Sequence, residues 1–253
     1  MSKFTKDMLL EAVQQTNVKL SNGKTVRVRA MLIKEFKILM LAAESDSGME
    51  DSIVQVLRGC VLDDKLDIGT LPIFDVETLY VTIWKLSKGT SIVPVKFRCV
   101  NEIEKPIPDD EEGKTYMGRC DTEIKVNINL NQAKLSKVPK PMVKISDNLT
   151  VEMRYPNVYE TEFFNVQKDS DLFDLVLRCI SKVHLKGDAL VVGTDIPYEE
   201  LSEVMDYVDD KGFAKMAAFV NDLPQLSLTA AVKCPHCGHC EPVEMIGLAD
   251  FFG

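Results

Sequence analysis

The chain has 253 residues, 45% of them hydrophobic, which is enough apolar material for one large or two modest folded domains. No apolar run approaches the length of a membrane-spanning helix, and the polar, periodic N-terminus lacks the pattern of a signal peptide. Seven cysteines without a secretory signal indicate a reducing compartment with free thiols. The formal net charge of -9 argues against broad binding of nucleic acid, because affinity for a phosphate backbone depends on Lys and Arg.

Residues 1–90 predict a hairpin followed by helices. An amphipathic helix over residues 3–15 precedes alternating valines on both sides of an Asn-Gly turn at Asn22, which is typical of a β-hairpin. The apolar spacing in "IKEFKILMLAAES" and "MEDSIVQVLRGCV" predicts two more helices. The clearest helix runs from Asp75, a candidate N-cap, to a stop at Gly89.

Residues 91–155 predict a β-rich region. The segments "SIVPVKFRC" and "CDTEIKVNINL" alternate apolar and polar residues, as half-buried strands do, and "LTVEMRYP" indicates a further strand. Residues 101–119 between the first two strands are acidic and contain Pro and Gly. We therefore predict a long loop there, which is uncommon in a compact domain unless the loop binds something or moves.

Residues 156–253 predict a helical region that ends in a β-hairpin. An apolar stripe from Leu172 to Val183 predicts one helix, with His184 as a cation at its C-terminal end, and another helix begins at Pro197. The chain closes with a strand, the cysteine-rich turn "CPHCGHC" and a second strand-like run. The whole pattern predicts an α+β fold whose helical segments carry two zinc-ribbon-like hairpins. Both hairpins have the order strand, cysteine-bearing turn, strand, which leaves a weak internal duplication open.

The turn "CPHCGHC" has the spacing of a metal knuckle. Cys234 and Cys237 stand three apart, which places two thiolates on one tight turn, and Gly238 supplies the backbone freedom such a turn needs. His236 lies between the two cysteines and is expected to point away from them.

Zinc takes four nitrogen or sulfur ligands, so a knuckle needs partners. Cys240 and His239 are close in sequence, and Cys99 and Cys120 end two strands that can pair across the acidic loop. Three interpretations stay open: a zinc site drawn from these residues, a hairpin that folds without metal, and an iron–sulfur centre. The third lacks the fourth cysteine and the trailing Cys-Pro of a bacterial ferredoxin run.

The sequence contains no nucleophile elbow, no Gly-rich phosphate loop and no H-E-x-x-H run. Acid–base catalysis needs convergent groups, and nothing local implies them. We therefore predict a protein without enzymatic activity.

Two blocks of the sequence, spanning about residues 70–253, resemble the baseplate hub proteins of T-even-type contractile-tailed bacteriophages. In the first block a helix ends in a Ser-x-Gly turn, and a strand runs into a cysteine turn before an alternating strand ends at Leu. In the second block Leu-Pro-x-Leu leads into a strand, a knuckle and a closing Gly-Leu-x-x-Phe-Phe. The matching residues are Ser87, Gly89, Cys99 and Leu130 in the first block, and Leu223, Pro224, Leu226, Cys234, Cys237, Gly247, Leu248, Phe251 and Phe252 in the second.

This chain departs from that resemblance where residues 100–119 separate Cys99 from Cys120, since the first knuckle should be compact. The departure puts any family metal site in the first block in doubt.

The resemblance implies a structural or assembly component of a tail baseplate hub, present in the virion tail baseplate and, during assembly, in the host cytoplasm. It implies other hub or tail proteins as partners, including the tape measure, and membership of a larger oligomeric assembly. Two alternatives are an assembly chaperone for the hub or tape-measure protein that is absent from the mature virion, and a zinc-ribbon module that binds nucleic acid or regulates. The acidic balance disfavours the second alternative.

The terminal aromatic pair, Phe251 and Phe252, is a candidate contact for a neighbouring protein, because aromatic anchors are enriched at interfaces. The alternative is that both rings pack back onto their own domain.

Overall fold

The structure is a computed structural model, and it describes residues 6–44, 49–107, 113–160 and 169–252. The fold is α+β, as the sequence predicts. The helices are α1 (Lys6–Glu11), α2 (Ile33–Glu44), α3 (Met49–Cys60), α4 (Ile73–Lys88), α5 (Asp169–Arg178), α6 (Tyr198–Met205), α7 (Asp210–Asn221) and α8 (Gly247–Phe252). The strands are β1 (Gln15–Lys19), β2 (Thr25–Arg29), β3 (Ile92–Arg98), β4 (Glu102–Pro106), β5 (Thr115–Arg119), β6 (Glu123–Asn129), β7 (Lys134–Leu135), β8 (Met142–Lys144), β9 (Leu149–Met153), β10 (Ile180–Leu185), β11 (Asp188–Val191), β12 (Leu226–Lys233) and β13 (Cys240–Ile246).

The chain divides into two compact units, each made from two separate stretches. Unit 1 comprises residues 1–87 and 136–224, and unit 2 comprises residues 88–135 and 225–253. This division differs from the three consecutive regions that composition suggests. The difference arises because the last two strands join the middle of the chain rather than the helices that precede them.

Unit 1 contains the β1–β2 hairpin and a four-stranded antiparallel sheet in the order β11-β10-β9-β8. Gly23 has φ 85° in the turn between β1 and β2, a left-handed conformation that a side chain disfavours. Apolar side chains of β9, β10 and helices α5, α6 and α7 form one core. Its fully buried members include Val151, Val176, Leu201 and Met216.

Asp75 connects α4 to the hairpin of unit 1. Its carboxylate accepts hydrogen bonds from the Ser21 amide at 2.9 Å and from the Ser21 hydroxyl at 2.7 Å. Helix α4 begins at Ile73, so Asp75 lies inside the first turn, and the prediction that it is the N-cap is wrong.

Two helix predictions in unit 1 run too long. α1 ends at Glu11 and β1 begins at Gln15, while residues 3–5 of that prediction lie outside the described residues. α5 ends at Arg178, and the residues that continue its stripe form β10, so His184 lies in a strand. Lys186 and Gly187, with φ 52° and 100°, form the turn between β10 and β11. The pairing of β10 with β11 makes this segment a strand rather than a continuation of the helix.

The predicted acidic loop contains a hairpin. β4 pairs with β5 over residues 102–106 and 115–119, while residues 108–112 lie outside the described part of the chain. Both strands are mostly exposed, so no buried face imposes an apolar alternation on their sequence.

The described residues of unit 2 form three small antiparallel sheets: β3–β6, β4–β5 and β13-β12-β7. β3 pairs with β6 across the β4–β5 hairpin, which confirms the predicted pairing of the two alternating segments. Helix α8 closes the chain and packs against β13 and β3. None of the helices among the described residues combines the length and the apolarity that crossing a membrane would require.

Candidate metal centre

The cysteine-rich turn joins β12 to β13 in unit 2. The amide of Cys234 donates to the carbonyl oxygen of His239 at 2.8 Å, and the amide of Gly238 donates to the carbonyl oxygen of Cys234 at 3.1 Å. Gly238 has φ 74°, in the left-handed region where a side chain is disfavoured. These bonds fold residues 234–239 into a compact turn, which we call the second knuckle.

Cys99 and Cys120 lie at the corresponding ends of β3 and β5. The amide of Cys99 donates to the carbonyl oxygen of Thr122 at 3.0 Å, and the amide of Cys120 donates to that of Asn101 at 2.7 Å. Residues 99–101 and 120–122 are therefore held side by side at the base of the β4–β5 hairpin. We call this pair of segments the first knuckle.

The two knuckles bring four cysteine sulfurs together. The four-cysteine group consists of Cys99, Cys120, Cys234 and Cys237, and its Sγ atoms all lie within 4.8 Å of one another. The Sγ atoms of Cys99 and Cys237 are 3.6 Å apart, and those of Cys120 and Cys234 are 3.8 Å apart. A zinc–sulfur bond of about 2.3 Å places the sulfurs of a regular tetrahedron about 3.8 Å apart. The group has dimensions that can hold a metal ion.

The four-cysteine group lies within a small apolar core. Cys99, Cys120 and Cys234 are buried and Cys237 is half-buried. The apolar side chains around them are Phe97, Ile103, Ile124, Val126, Val232 and Val243. This packing keeps bulk water from three of the four sulfurs, as suits a structural site.

Hydrogen bonds in the knuckles favour the thiolate form of Cys120 and Cys234 over the thiol. Thr122, whose Oγ1 lies 3.2 Å from Cys120 Sγ, lowers the pKa of Cys120 to about 6. Backbone amide hydrogen bonds, first from Cys237, lower the pKa of Cys234. Burial raises the pKa of Cys99 to about 12, so that thiol needs a nearby positive charge to ionise. The thiolate is the form that binds metal.

The other predicted ligands are not part of the four-cysteine group. Cys240 is exposed and pairs with Lys233 in the β12–β13 ladder. The Nε2 atom of His239 lies 3.4 Å from Glu241 Oε2. Cys240 is the first residue of β13, the strand that leaves the knuckle, and His239 is the last residue of the turn, with its side chain beside Glu241.

Three neighbours of the group do not follow from the cysteine spacing. His236 does not point away as expected, because its Nδ1 atom lies 3.5 Å from Cys120 Sγ. Asn101 places its Nδ2 atom 3.7 Å from Cys237 Sγ, and Thr122 contacts Cys120. The position of Thr122, two residues after a cysteine, is the only signal for it, and a polar residue there is common without metal.

The terminal aromatic residues have different environments in unit 2. Phe251 is 0% exposed, whereas Phe252 is partly exposed. Their ring centroids are 6.4 Å apart in an edge-to-face arrangement. Phe251 therefore packs into its own unit.

Comparison with known proteins matches nearly the whole chain to one family. Residues 13–253 match the family described as T4 bacteriophage base plate protein. The chain is also 20% identical to "Baseplate hub assembly protein gp26" of Enterobacteria phage T4 over 230 residues, which covers 91% of this chain and 93% of that protein. No solved structure gives a significant match. The family match includes both units and both knuckles, and the chain therefore belongs to the T4 bacteriophage base plate protein family.

Proposed function

We propose that this protein is a non-enzymatic component of the phage tail baseplate hub that acts in its assembly through protein–protein contacts. The observation that carries the proposal is the family match over residues 13–253. The relative named as a hub assembly protein aligns over almost its entire length, which supports the hub as the site of action. Its partners are then other hub or tail proteins, including the tape measure, first in the host cytoplasm and then in the tail.

An exposed apolar face on α2 in unit 1 supports a role in protein contacts. Ile33, Met40 and Leu41 are 75%, 63% and 65% exposed, and the first two lie seven residues apart on one side of the helix. Large apolar side chains grouped on a surface helix are typical of interaction sites. We propose that this face, together with Phe252 in unit 2, contacts neighbouring subunits within an oligomeric assembly.

We also propose that the metal of the four-cysteine group is zinc. Four thiol sulfurs within 4.8 Å of one another suit zinc, and an intracellular assembly stage keeps thiols reduced. The two cysteine-bearing hairpins would then resemble the halves of a zinc ribbon, and an internal duplication would account for their common order.

Mass spectrometry of purified virions beside infected-cell lysate tests the proposal. A hub component appears in both samples and co-purifies with hub proteins. A chaperone of the hub or tape measure appears only in the lysate but still co-purifies with those proteins. A chain that associates with no tail protein in either sample contradicts the proposal.

A pull-down from infected cells tests the α2 face. The variant Ile33→Asp/Met40→Asp should lose tail proteins, because a buried charge at an interface is costly. The variant Tyr207→Asp is the matched control, since Tyr207 is 92% exposed on another part of unit 1. Equal recovery of partners by both variants would remove the α2 face from the proposal.

A nucleic-acid-binding role is the second candidate, and the four-cysteine geometry is the observation that favours it. Zinc-stabilised hairpins are one scaffold on which proteins present side chains to nucleic acid. The net charge of -9 opposes this role. Binding of DNA or RNA that weakens steeply with added salt would support it.

A further inference from the structure

We infer that the four-cysteine group is one closed Zn²⁺ site built from two equivalent knuckles, and that the β4–β5 hairpin is inserted into the first. This inference rests on the proposed assignment of zinc and is independent of the hub role. It names Cys99, Cys120, Cys234 and Cys237 as the four ligands and leaves Cys240 outside the site.

The two knuckles share their outer backbone hydrogen bond. In the second knuckle the amide of Cys234 donates to the carbonyl oxygen of His239, two residues after Cys237, at 2.8 Å. In the first knuckle the amide of Cys99 donates to the carbonyl oxygen of Thr122, two residues after Cys120, at 3.0 Å. The same donor and acceptor positions close both turns.

The inner hydrogen bond and the backbone conformation are shared as well. The residue after the second cysteine donates back to the carbonyl oxygen of the first, at 3.1 Å from Gly238 and at 3.0 Å from Asp121. Gly238 has φ 74° and Asp121 has φ 55°. A positive φ is uncommon for a residue other than Gly, so its occurrence at the equivalent position indicates the same turn.

The strand register agrees with this equivalence. Before the first knuckle, Arg98 pairs with Glu123, the third residue after Cys120. Before the second knuckle, Lys233 pairs with Cys240, the third residue after Cys237. Cys240 is thus the counterpart of Glu123, a strand residue outside the turn, and has no place among the ligands.

The β4–β5 hairpin enters the first knuckle at one point. The amide of Cys120 donates to the carbonyl oxygen of Asn101 at 2.7 Å, and the hairpin ladder begins next to it with Glu102 paired to Arg119. Removal of residues 102–119 from the sequence would leave Cys-Val-Asn-Cys, which is a C-x-x-C pair. The long separation of the first two cysteines therefore reflects an insertion into a knuckle rather than the loss of one.

The coordination is closed because the protein supplies all four thiolates. A catalytic zinc keeps one position for water or substrate, whereas a structural zinc has four protein ligands. Three of the ligands are buried and the fourth is half-buried, within an apolar shell. The ion would hold two hairpins together in a unit whose sheets are small.

Elemental analysis and native mass spectrometry of the full chain, purified under reducing conditions, test the inference. We expect about one zinc per chain for the unaltered protein and for the control variant Cys240→Ser, and below about 0.2 for Cys99→Ser and Cys237→Ser. Loss of zinc in Cys240→Ser equal to that in Cys99→Ser would overturn the ligand assignment. Iron in place of zinc, with visible charge-transfer absorption, would overturn the choice of metal.

A second variant keeps the inference testable if the serine variants fail to fold. Deletion of residues 102–119 should preserve about one zinc per chain, because it leaves a direct C-x-x-C knuckle. Substitution of Co²⁺ into the unaltered protein should give the absorption of a tetrahedral thiolate complex. Octahedral cobalt spectra, or a folded deletion variant without metal, would contradict the two-knuckle site. None of these measurements uses hub proteins, so failure here and failure of the hub role are separate results.

Discussion

The Sγ atom of Cys99 lies 3.6 Å from that of Cys237, although 138 positions separate the two residues in the chain. This contact joins the two stretches of sequence that make up unit 2. Holding such distant segments together costs loop-closure entropy, and a metal bound only by the folded unit would offset that cost.

Removal of the metal should destabilise unit 2. A ligand present at about a thousandfold excess over its dissociation constant contributes about 4 kcal/mol, so a strong zinc chelator should lower the melting temperature under reducing conditions. Calorimetry before and after chelation measures the effect, and added zinc should restore the original value. Cys240→Ser should respond as the unaltered protein does, and an unchanged melting curve after verified metal removal would refute a structural metal.

Asp121 and Gly238, the residues with positive φ in the two knuckles, should lose similar amounts of stability when each is replaced by a β-branched residue. Asp121→Val and Gly238→Val should each destabilise unit 2 by about 1–2 kcal/mol, because a positive φ brings Cβ close to the carbonyl oxygen. Asp121→Gly is the matched control, since Gly tolerates the same φ without strain. Denaturant titration with zinc present measures the three variants. If Asp121→Val costs no more than Asp121→Gly, the two turns are not equivalent.

Periodicity in the sequence predicts the elements that have one buried face. β3 and β6 alternate strictly because Val93, Val95, Ile124 and Ile128 face the interior, and both strands follow from the pattern. The β4–β5 hairpin has little buried surface, so its residues do not alternate between apolar and polar, and the sequence predicts a loop there. Ile180 and Val183 fit both a helical stripe and a strand, and only the neighbouring strands decide between the two.

The half of the candidate site that lies within one short turn is predictable from the sequence, and the half that depends on long-range strand pairing is less so. The C-x-x-C spacing identifies Cys234 and Cys237 because a turn of that length fixes its own geometry. Cys99 and Cys120 can be proposed only through strand pairing, and their role as a knuckle depends on backbone bonds across an insertion. Closeness in sequence also suggests Cys240 and His239 as ligands, but it does not show that a strand begins at Cys240 or that the side chain of His239 lies beside Glu241.

Arg154 and Glu160 should give unit 1 a stability that depends on pH. Two hydrogen bonds of 2.8 and 2.6 Å join the guanidinium to the carboxylate, and the contact with Arg154 lowers the pKa of Glu160. A carboxyl with a lowered pKa stabilises the fold above its ordinary pKa of about 4.3, and the contribution falls as pH drops through that value toward the folded pKa.

The free energy of unfolding of the variant Glu160→Gln should therefore be about 1 kcal/mol lower at pH 7 than that of the unaltered protein. The difference is small because both side chains of the pair are partly exposed. Near pH 3 the loss should be smaller. Urea unfolding at several pH values measures the difference. Glu203→Gln, at an exposed position on α6, is the control and should leave the profile unchanged. A loss that is constant from pH 3 to pH 7 would show that the pair contributes through packing rather than charge.

Substitutions of Phe251 and Phe252 should distinguish a residue needed for folding from a residue that contacts a partner. Phe251 is 0% exposed, so Phe251→Ala should destabilise unit 2 by about 3–5 kcal/mol through lost burial and the cavity left behind. Phe252 is partly exposed, so Phe252→Ala should cost less than about 2 kcal/mol. Phe252→Ala should nevertheless reduce recovery of tail proteins in a pull-down, if its exposed part contacts a neighbour. Phe252→Leu is the matched control because it keeps an apolar side chain there. Full recovery of partners by a folded Phe252→Ala variant would assign the terminal pair to the unit's own core.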